Sequence, residues 1–468
     1  MSVLGELGSL VGWEQGRISP AIYFDEEVYR RELARIFEGS WLPVGHEDMV
    51  RNPGDYVTNY MGEVPVILVR DRGGRVRVLI NKCRHRGNQV CLFDRGNVRG
   101  FTCSYHGWAY GTDGRLISVP MEEEFYHGAL EKEKWGLEEA GVVNFHGLIF
   151  ATLNREAPSF EDWLGADVRW WLQHFVLAEP IGGLEALPGW HRCESPANWK
   201  LIAENFIGDN YHFAHTHTSW IRVARAFRER GILTPMTTAP HSALRGADAK
   251  YSVTAGYRSG APLGLGALLA RTEALHERDL EDARPLGPAA VEWVRERNAR
   301  MSKALAEYEP RPGCFGHGLL FPNLGLMGYV SPMIGRHFLL FHPRGPAAHE
   351  IWQWTMVERE APESVKELAV QRFYQGQHMA GVIAPDDVEN FERIVEASHS
   401  PRTWRYPMNY EIHLGHDEDQ LPHVPGNIGA EPSEVNQREF YRFWLEVMSD
   451  SDAQGPAGRP DGGVSQAV

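Results

Sequence analysis

Cysteine is scarce. Five occur in 468 residues, at positions 83, 91, 103, 193 and 314, too few and too scattered for a disulfide framework in so long a chain. Basic excess is missing too: 62 acidic residues against 47 basic ones give a formal charge of −15, which repels a phosphate backbone and excludes the electrostatic footprint of a nucleic-acid binder. No run approaches the ~20 apolar residues that cross a bilayer. Met1 to Gln15 contains Glu6 and Glu14 but no basic segment leading into an apolar stretch, so no secretory signal is expected. The expectation is a cytoplasmic protein that handles neither nucleic acid nor membrane. In a reducing compartment, closely spaced cysteines read as metal ligands. There is no internal repeat.

What is present is length enough for more than one core, since single cores stop growing beyond about 250 to 300 residues. Ser19 to Phe37 places Tyr23, Val28, Tyr29, Leu33 and Ile36 at helical spacing with charges between them, and predicts one amphipathic helix. From Trp41 to about Leu153 short β-rich runs, Val64 to Val69, Val76 to Ile80 and Val142 to Leu153, alternate with turn residues such as Asp71 to Gly74 and Thr112 to Gly114. This predicts a compact all-β module. Beyond Glu161, Asn198 to Ala214 reads as helix, whereas Gly335 to His342 and Glu350 to Val357 alternate like antiparallel strands. The fold class expected is α+β. Gly260 to Gly266 is a glycine-rich loop before polar helical sequence from Leu268 to Tyr308, readable as a surface excursion or as a cover over a substrate channel. Asp450 to Val468, rich in Gly, Pro, Ser and Asp, reads as disordered.

Two segments concentrate metal-binding chemistry. Asn81-Lys-Cys83-Arg-His85-Arg-Gly87 is followed by Thr102-Cys103-Ser-Tyr-His106-Gly-Trp108. Two thiolates and two imidazoles can close a tetrahedral zinc site, or can hold two irons with the sulfurs on one and the imidazoles on the other. Spacing alone leaves both open. Cys91, Cys193 and Cys314 read as ordinary small buried side chains. Later, Glu204, Asn205, Asp209, His212, His215 and His217 crowd one otherwise apolar stretch, which is costly unless these groups are paired or metal-bound. On an ideal helix His212 and His215 are neighbours, while His212 and His217 lie about 140° apart, so local geometry does not choose the pair.

The C-x-H-R-G and C-x-x-H-G-W pattern, complete here, resembles the Rieske non-haem iron aromatic-ring-hydroxylating dioxygenases, in particular their large (alpha) subunits. The resemblance runs from Gly16 to Met448 and includes Gly16-Arg-Ile-Ser, Phe321-Pro-Asn323 and Asn436-x-Arg438-x-Phe-Tyr441-x-x-Trp444. It implies that Cys83 and Cys103 ligate one iron of a [2Fe-2S] cluster, and His85 and His106 the other. In the second segment the family motif Asn-x3-Asp-x2-His-x4-His falls on Asn205, Asp209, His212 and His217. His212 and His217 then bind Fe(2+), the helix ends or distorts near Ala214, and His215 has no assigned role. The third ligand implied is the second Asp of Pro385-Asp386-Asp387, hence Asp387, with Asp386 and Glu389 as alternatives. The bare residues also permit these acids simply to favour a helix N-terminus.

By the same resemblance, the all-β Rieske domain is expected before, or inserted into, an α+β catalytic domain with a central antiparallel sheet surrounded by helices. Residues 1–40 are a helical part of the catalytic domain, 41–156 the Rieske domain, 157–449 the mononuclear-iron domain and 450–468 a tail. Asp209 would link His212 to His106 of the partner subunit, which requires at least a homotrimer, and the C-terminal motif favours an α3β3 hexamer with a small beta subunit. Asn205 would lie near the iron without ligating it. A reductase or ferredoxin would carry electrons from NAD(P)H, and both atoms of O2 would add to adjacent ring carbons as a cis-dihydrodiol. Pocket walls are expected from Phe206, Phe213, the residues before Phe321 and the Gly376 to Ile383 stretch with Met379, suiting a bicyclic or polycyclic hydrocarbon. Arg222, Arg225 and Arg228 share a helix face and offer the alternatives of a phthalate- or benzoate-like acid held by an arginine fork or a plain solvated stripe. Monooxygenation or demethylation is the remaining alternative.

Overall fold

The computed structural model describes residues 7–187, 190–209, 211–229, 241–245, 251–256, 276–304, 315–327, 331–376, 378, 381–416, 427–428 and 433–449. The loop at Gly260 to Gly266, Cys314, Met379 and the tail from residue 450 lie outside them.

Three antiparallel sheets build the expected β-module. The first runs in the spatial order Val76–Ile80, Val64–Arg70, Asp55–Met61, Arg95–Asn97, the second Leu116–Ser118, Ala109–Gly111, Gly100–Thr102, and the third Gly141–Phe145, Leu148–Thr152, Leu42–His46. Val64–Arg70 is apolar on both faces because both faces are covered. Val66 and Leu68 enter the main core, while Ile67 and Val69 pack with Cys83, Cys103 and Trp108, the alternation that a period of two dictates. Val142 to Leu153, read as one run, is a hairpin whose arms pair Gly141 with Thr152 and Phe145 with Leu148.

Among the described residues, a nine-stranded antiparallel sheet forms the centre of the larger unit. Its strands Arg336–Pro343 and His349–Glu358 pair along their length, close to where the sequence put them. Phe338 and Leu340 face one core and Leu339 and Phe341 the other, beneath the helix Trp199–Phe206. Arg192 to Asp94 (3.0 Å) and Arg359 to Asp48 (3.1 Å) tie this sheet to the β-module. No helix among the described residues is long and apolar enough to cross a membrane.

The single helix expected over Ser19 to Phe37 is three pieces: a 3-10 turn Pro20–Tyr23, an α-helix Glu26–Glu32 and a π-helical turn Leu33–Phe37. The break is chemical. Asp25 accepts hydrogen bonds from the backbone N–H of Glu27 and Val28, each 2.9 Å, and an Asp N-cap starts a new helix rather than continuing one. Asp25→Ala is expected to lower stability by about 1 kcal/mol, read as a fall in Tm with metal content unchanged. Glu32, at the end of this helix, is fully buried and meets Lys200 Nζ (2.6 Å), Trp199 Nε1 (2.9 Å) and Trp444 Nε1 (2.8 Å). These three contacts fasten the N-terminal segment and the C-terminal helix Val435–Ser449 onto Trp199–Phe206.

Candidate metal centres

The first constellation sits on two loops of the same backbone design. Gly87 N–H donates to the Cys83 carbonyl (2.9 Å) and Gly107 N–H to the Cys103 carbonyl (3.0 Å). Both glycines adopt positive φ, 80° and 75°, which residues with a Cβ reach only at a cost. Each loop therefore turns its cysteine inward and its histidine toward the rim. Cys83 and Cys103 are 3% and 2% exposed, whereas His85 and His106 are partly exposed with ring centroids 4.4 Å apart. Trp108 stacks on His85 at 5.1 Å.

These groups fit a two-iron cluster. Burial raises the Cys103 thiol, but the backbone N–H groups of Tyr105 and His106 and the Asn88 amide outweigh it and favour the thiolate. Burial, with the neighbouring His106 and Arg86, lowers His85 and favours its neutral imidazole, and its buried Nδ1 has no hydrogen-bond partner among the described residues. The Tyr110 hydroxyl lies 3.3 Å from Cys83 Sγ and accepts from Arg84 N–H at 3.0 Å. The thiols are buried as one pair and the imidazoles stand toward the rim as another, an arrangement that suits two irons with the sulfurs on one and the imidazoles on the other. Cys91 is buried and Cys193 half-buried, as ordinary side chains.

The second constellation departs from the continuous helix expected over Asn198 to Ala214. Helix Trp199–Phe206, capped by Asn198, stops well before Ala214. Gly208 takes φ 127°, and a turn leads to a short helix Phe213–Thr216 and then Thr218–Glu229. His212 and His217 therefore do not lie on one continuous helix. His212 stands before the short helix and His217 after it, with ring centroids 5.3 Å apart, while His215 is exposed.

Asp387 enters from the first turn of helix Ala384–Ser398. Its Oδ1 lies 3.3 Å from His212 Nε2 and 3.4 Å from His217 Nε2. The remaining ring nitrogens also face carboxylates: His212 Nδ1 is 3.3 Å from Asp209 and His217 Nδ1 3.2 Å from Asp386. Burial would lower His212, yet Asp209 and Asp387 together hold it up at about 10. Burial would raise Asp387, yet the two imidazoles hold it down at about 2. Two imidazoles and a carboxylate converging on one point, with an outer carboxylate behind each imidazole, fit a divalent cation bound on one face. Asn205 Nδ2 stands 3.5 Å from His212 Nε2. Glu389 is exposed and pairs with Arg393.

Sequence reasoning weighed Asp386 only as an alternative ligand and missed its contact with His217. The available signal was that a ligating histidine usually gives its other N–H to a carboxylate. Phe206 is buried beside Phe341, ring centroids 5.2 Å apart. Arg222 is exposed, and the side chains of Phe213, Arg225 and Arg228 fall outside those described.

Comparison with known proteins shows the family. Residues 40–135 match the Rieske [2Fe-2S] domain family and residues 186–450 the family of ring-hydroxylating alpha subunits, catalytic domain. The alpha subunit of biphenyl 2,3-dioxygenase from Rhodococcus jostii (strain RHA1) is 36% identical over 96% of this chain and 92% of its own. That of benzene 1,2-dioxygenase from Pseudomonas putida is 34% identical over 96% and 94%. The crystal structure of naphthalene 1,2-dioxygenase from Rhodococcus sp. bound to indole superposes with a TM-score of 0.76 at 29% identity, covering 95% of this chain and 98% of that one. With matches spanning both constellations and nearly the whole length, the chain belongs to the Rieske non-haem iron ring-hydroxylating dioxygenases, as an alpha subunit.

Proposed function

We propose that Cys83, His85, Cys103 and His106 hold the [2Fe-2S] cluster, that His212, His217 and Asp387 hold one Fe(2+), and that the chain cis-dihydroxylates a neutral aromatic hydrocarbon. The observation that carries this is the convergence of the three donor atoms within 4.8 Å, with Asp209 and Asp386 behind the two imidazoles. Iron at that point supplies dioxygen activation and one-electron chemistry. Asp386 keeps a proton on His217 Nδ1 and leaves Nε2 free to ligate, and Asp209 does the same for His212. Asn205 stays beside His212 as a polar group near the iron.

Asp209 retains 37% side-chain exposure, which leaves it open to His106 of the partner subunit, so the working unit is at least a homotrimer. Relatives named as alpha subunits support an α3β3 hexamer with a small beta subunit, fed by a ferredoxin or reductase from NAD(P)H in the cytoplasm. Residues 1–40 and 157–449 form the catalytic domain around a Rieske domain of 41–156, with a tail from 450.

A neutral substrate is supported by the apolar cluster of Phe206, Phe321, Met327, Leu339 and Phe341, by the exposure of Arg222, and by relatives named for biphenyl, benzene and naphthalene. Single turnover of the dithionite-reduced complex against polycyclic hydrocarbons, biphenyls and aromatic carboxylates, with products read by mass spectrometry, tests this. Dihydrodiols of the neutral rings are expected. Products from the acids alone would overturn it.

A further inference from the structure

The terminal motifs singled out in the sequence, Gly16-Arg17-Ile18-Ser19 and Asn436 to Trp444, meet at one side chain that no step above employs. Arg17–Ile18 pairs with Met408–Asn409, and Tyr410 N–H donates to the Gly16 carbonyl (2.7 Å). Arg438 donates to the carbonyls of Tyr410 (2.6 Å) and Ile412 (3.1 Å). Tyr410, so placed, points its hydroxyl at Glu204. The carboxyl of Glu204 accepts from Tyr441 (2.5 Å), Tyr410 (3.0 Å) and Tyr23 (3.3 Å), and Tyr23 and Tyr441 are themselves 2.7 Å apart. All three tyrosines are buried.

We propose that Glu204 is a positioning residue for the mononuclear site: three tyrosine hydroxyls hold its carboxyl and thereby fix the helix turn that carries Asn205 and Asp209 to His212. This rests on the reading of the iron site given above. The same C-terminal helix grips the turn at two further points, Asn436 Nδ2 on the Ile207 carbonyl (2.6 Å) and Gln437 Nε2 on the Glu204 carbonyl (3.4 Å). Asp209 N–H then donates to the Asn205 carbonyl (3.2 Å), and His212 N–H to Asp209 Oδ1 (3.2 Å). A displacement of the Glu204 turn therefore passes through Asp209 to a ligand, and misplacement by about 1 Å can cost about a hundredfold in rate.

Burial raises Glu204 to about 7, with the charge of Asp209 adding and the tyrosine hydroxyls opposing. The groups facing it are Tyr23, Tyr410 and Tyr441 from three separate segments, Asp209 beyond its own helix, and Lys200, whose ammonium is taken by Glu32. The ionised carboxylate makes stronger, charge-assisted bonds to the phenols. The turn is thus held best above neutral pH.

The test uses the complete oxygenase with its partners, unaltered or carrying Glu204→Gln or Tyr441→Phe, and measures iron and sulfide content, kcat, KM and the single-turnover rate from about pH 6 to about pH 8. The unaltered chain should show a rate rising through an inflection near pH 7. Glu204→Gln should load both centres normally, lose about tenfold in kcat with KM within about twofold, and lack the inflection. Tyr441→Phe removes a donor to the carboxylate, so its inflection should persist at higher pH. Variants with unchanged kcat and profile would overturn the proposal, as would variants whose loss follows iron content or heat stability alone. An unaltered chain without mononuclear iron or dihydrodiol would instead overturn the iron-site reading itself, a different result.

Discussion

Asp387→Ala removes mononuclear iron and, with it, product formation, while the visible spectrum of the cluster stays as it was. Iron should fall from about three to about two per chain, the two that remain belonging to the cluster. Turnover should fall by more than about a hundredfold, since losing even an outer-sphere partner of a ligand costs about ten- to a hundredfold. Asp386→Asn supplies that lesser loss, because Asp386 reaches His217 Nδ1 at 3.2 Å and orients the ring. Glu389→Gln should change nothing, its carboxylate being exposed and satisfied by Arg393. Iron analysis and single-turnover product yield on the three variants check the order. Loss of the cluster spectrum in the Asp387 variant would sink the assignment of two separate centres.

Asp209→Ala carries the second large effect. The side chain anchors the His212 backbone N–H at 3.2 Å and stands 3.3 Å from its Nδ1, yet it is not among the three converging donors. Its loss should leave cluster and iron in place and lower turnover by more than about a hundredfold. The sensitive readout is stopped-flow reoxidation of the pre-reduced cluster after mixing with substrate and O2. A cluster that stays reduced is the expected outcome. Reoxidation at the unaltered rate would remove Asp209 from the electron path.

The first constellation was legible because its chemistry is local: Cys83 with His85 and Cys103 with His106 sit within three residues of each other, and the glycines that turn the loops, Gly87 and Gly107, are written beside them. The second was legible only as a set of residues. Helical spacing favours His212 with His215, and what brings His217 in is that the chain is not one helix there: His212 and His217 flank the short helix Phe213–Thr216, a break that an apolar, helix-like run conceals. The β-module was readable from its turns, although the Val142 to Leu153 run hid a hairpin. Least visible were contacts made across the chain. Glu204 meets Tyr441 at a separation of 237 residues and Tyr23 at 181, and no periodicity within a window of a dozen residues reports such partners.

The strand Val64–Arg70 is a wall shared by two rooms, with Ile67 and Val69 lining the cluster side and Val66 and Leu68 the side continuous with the catalytic core. Sliding its pairing with Asp55–Met61 by one residue would exchange those two sets together. A mispaired strand would then spoil both interiors at once, so the register that folds the electron-accepting half of the molecule is also checked by the packing of the half that spends the electrons.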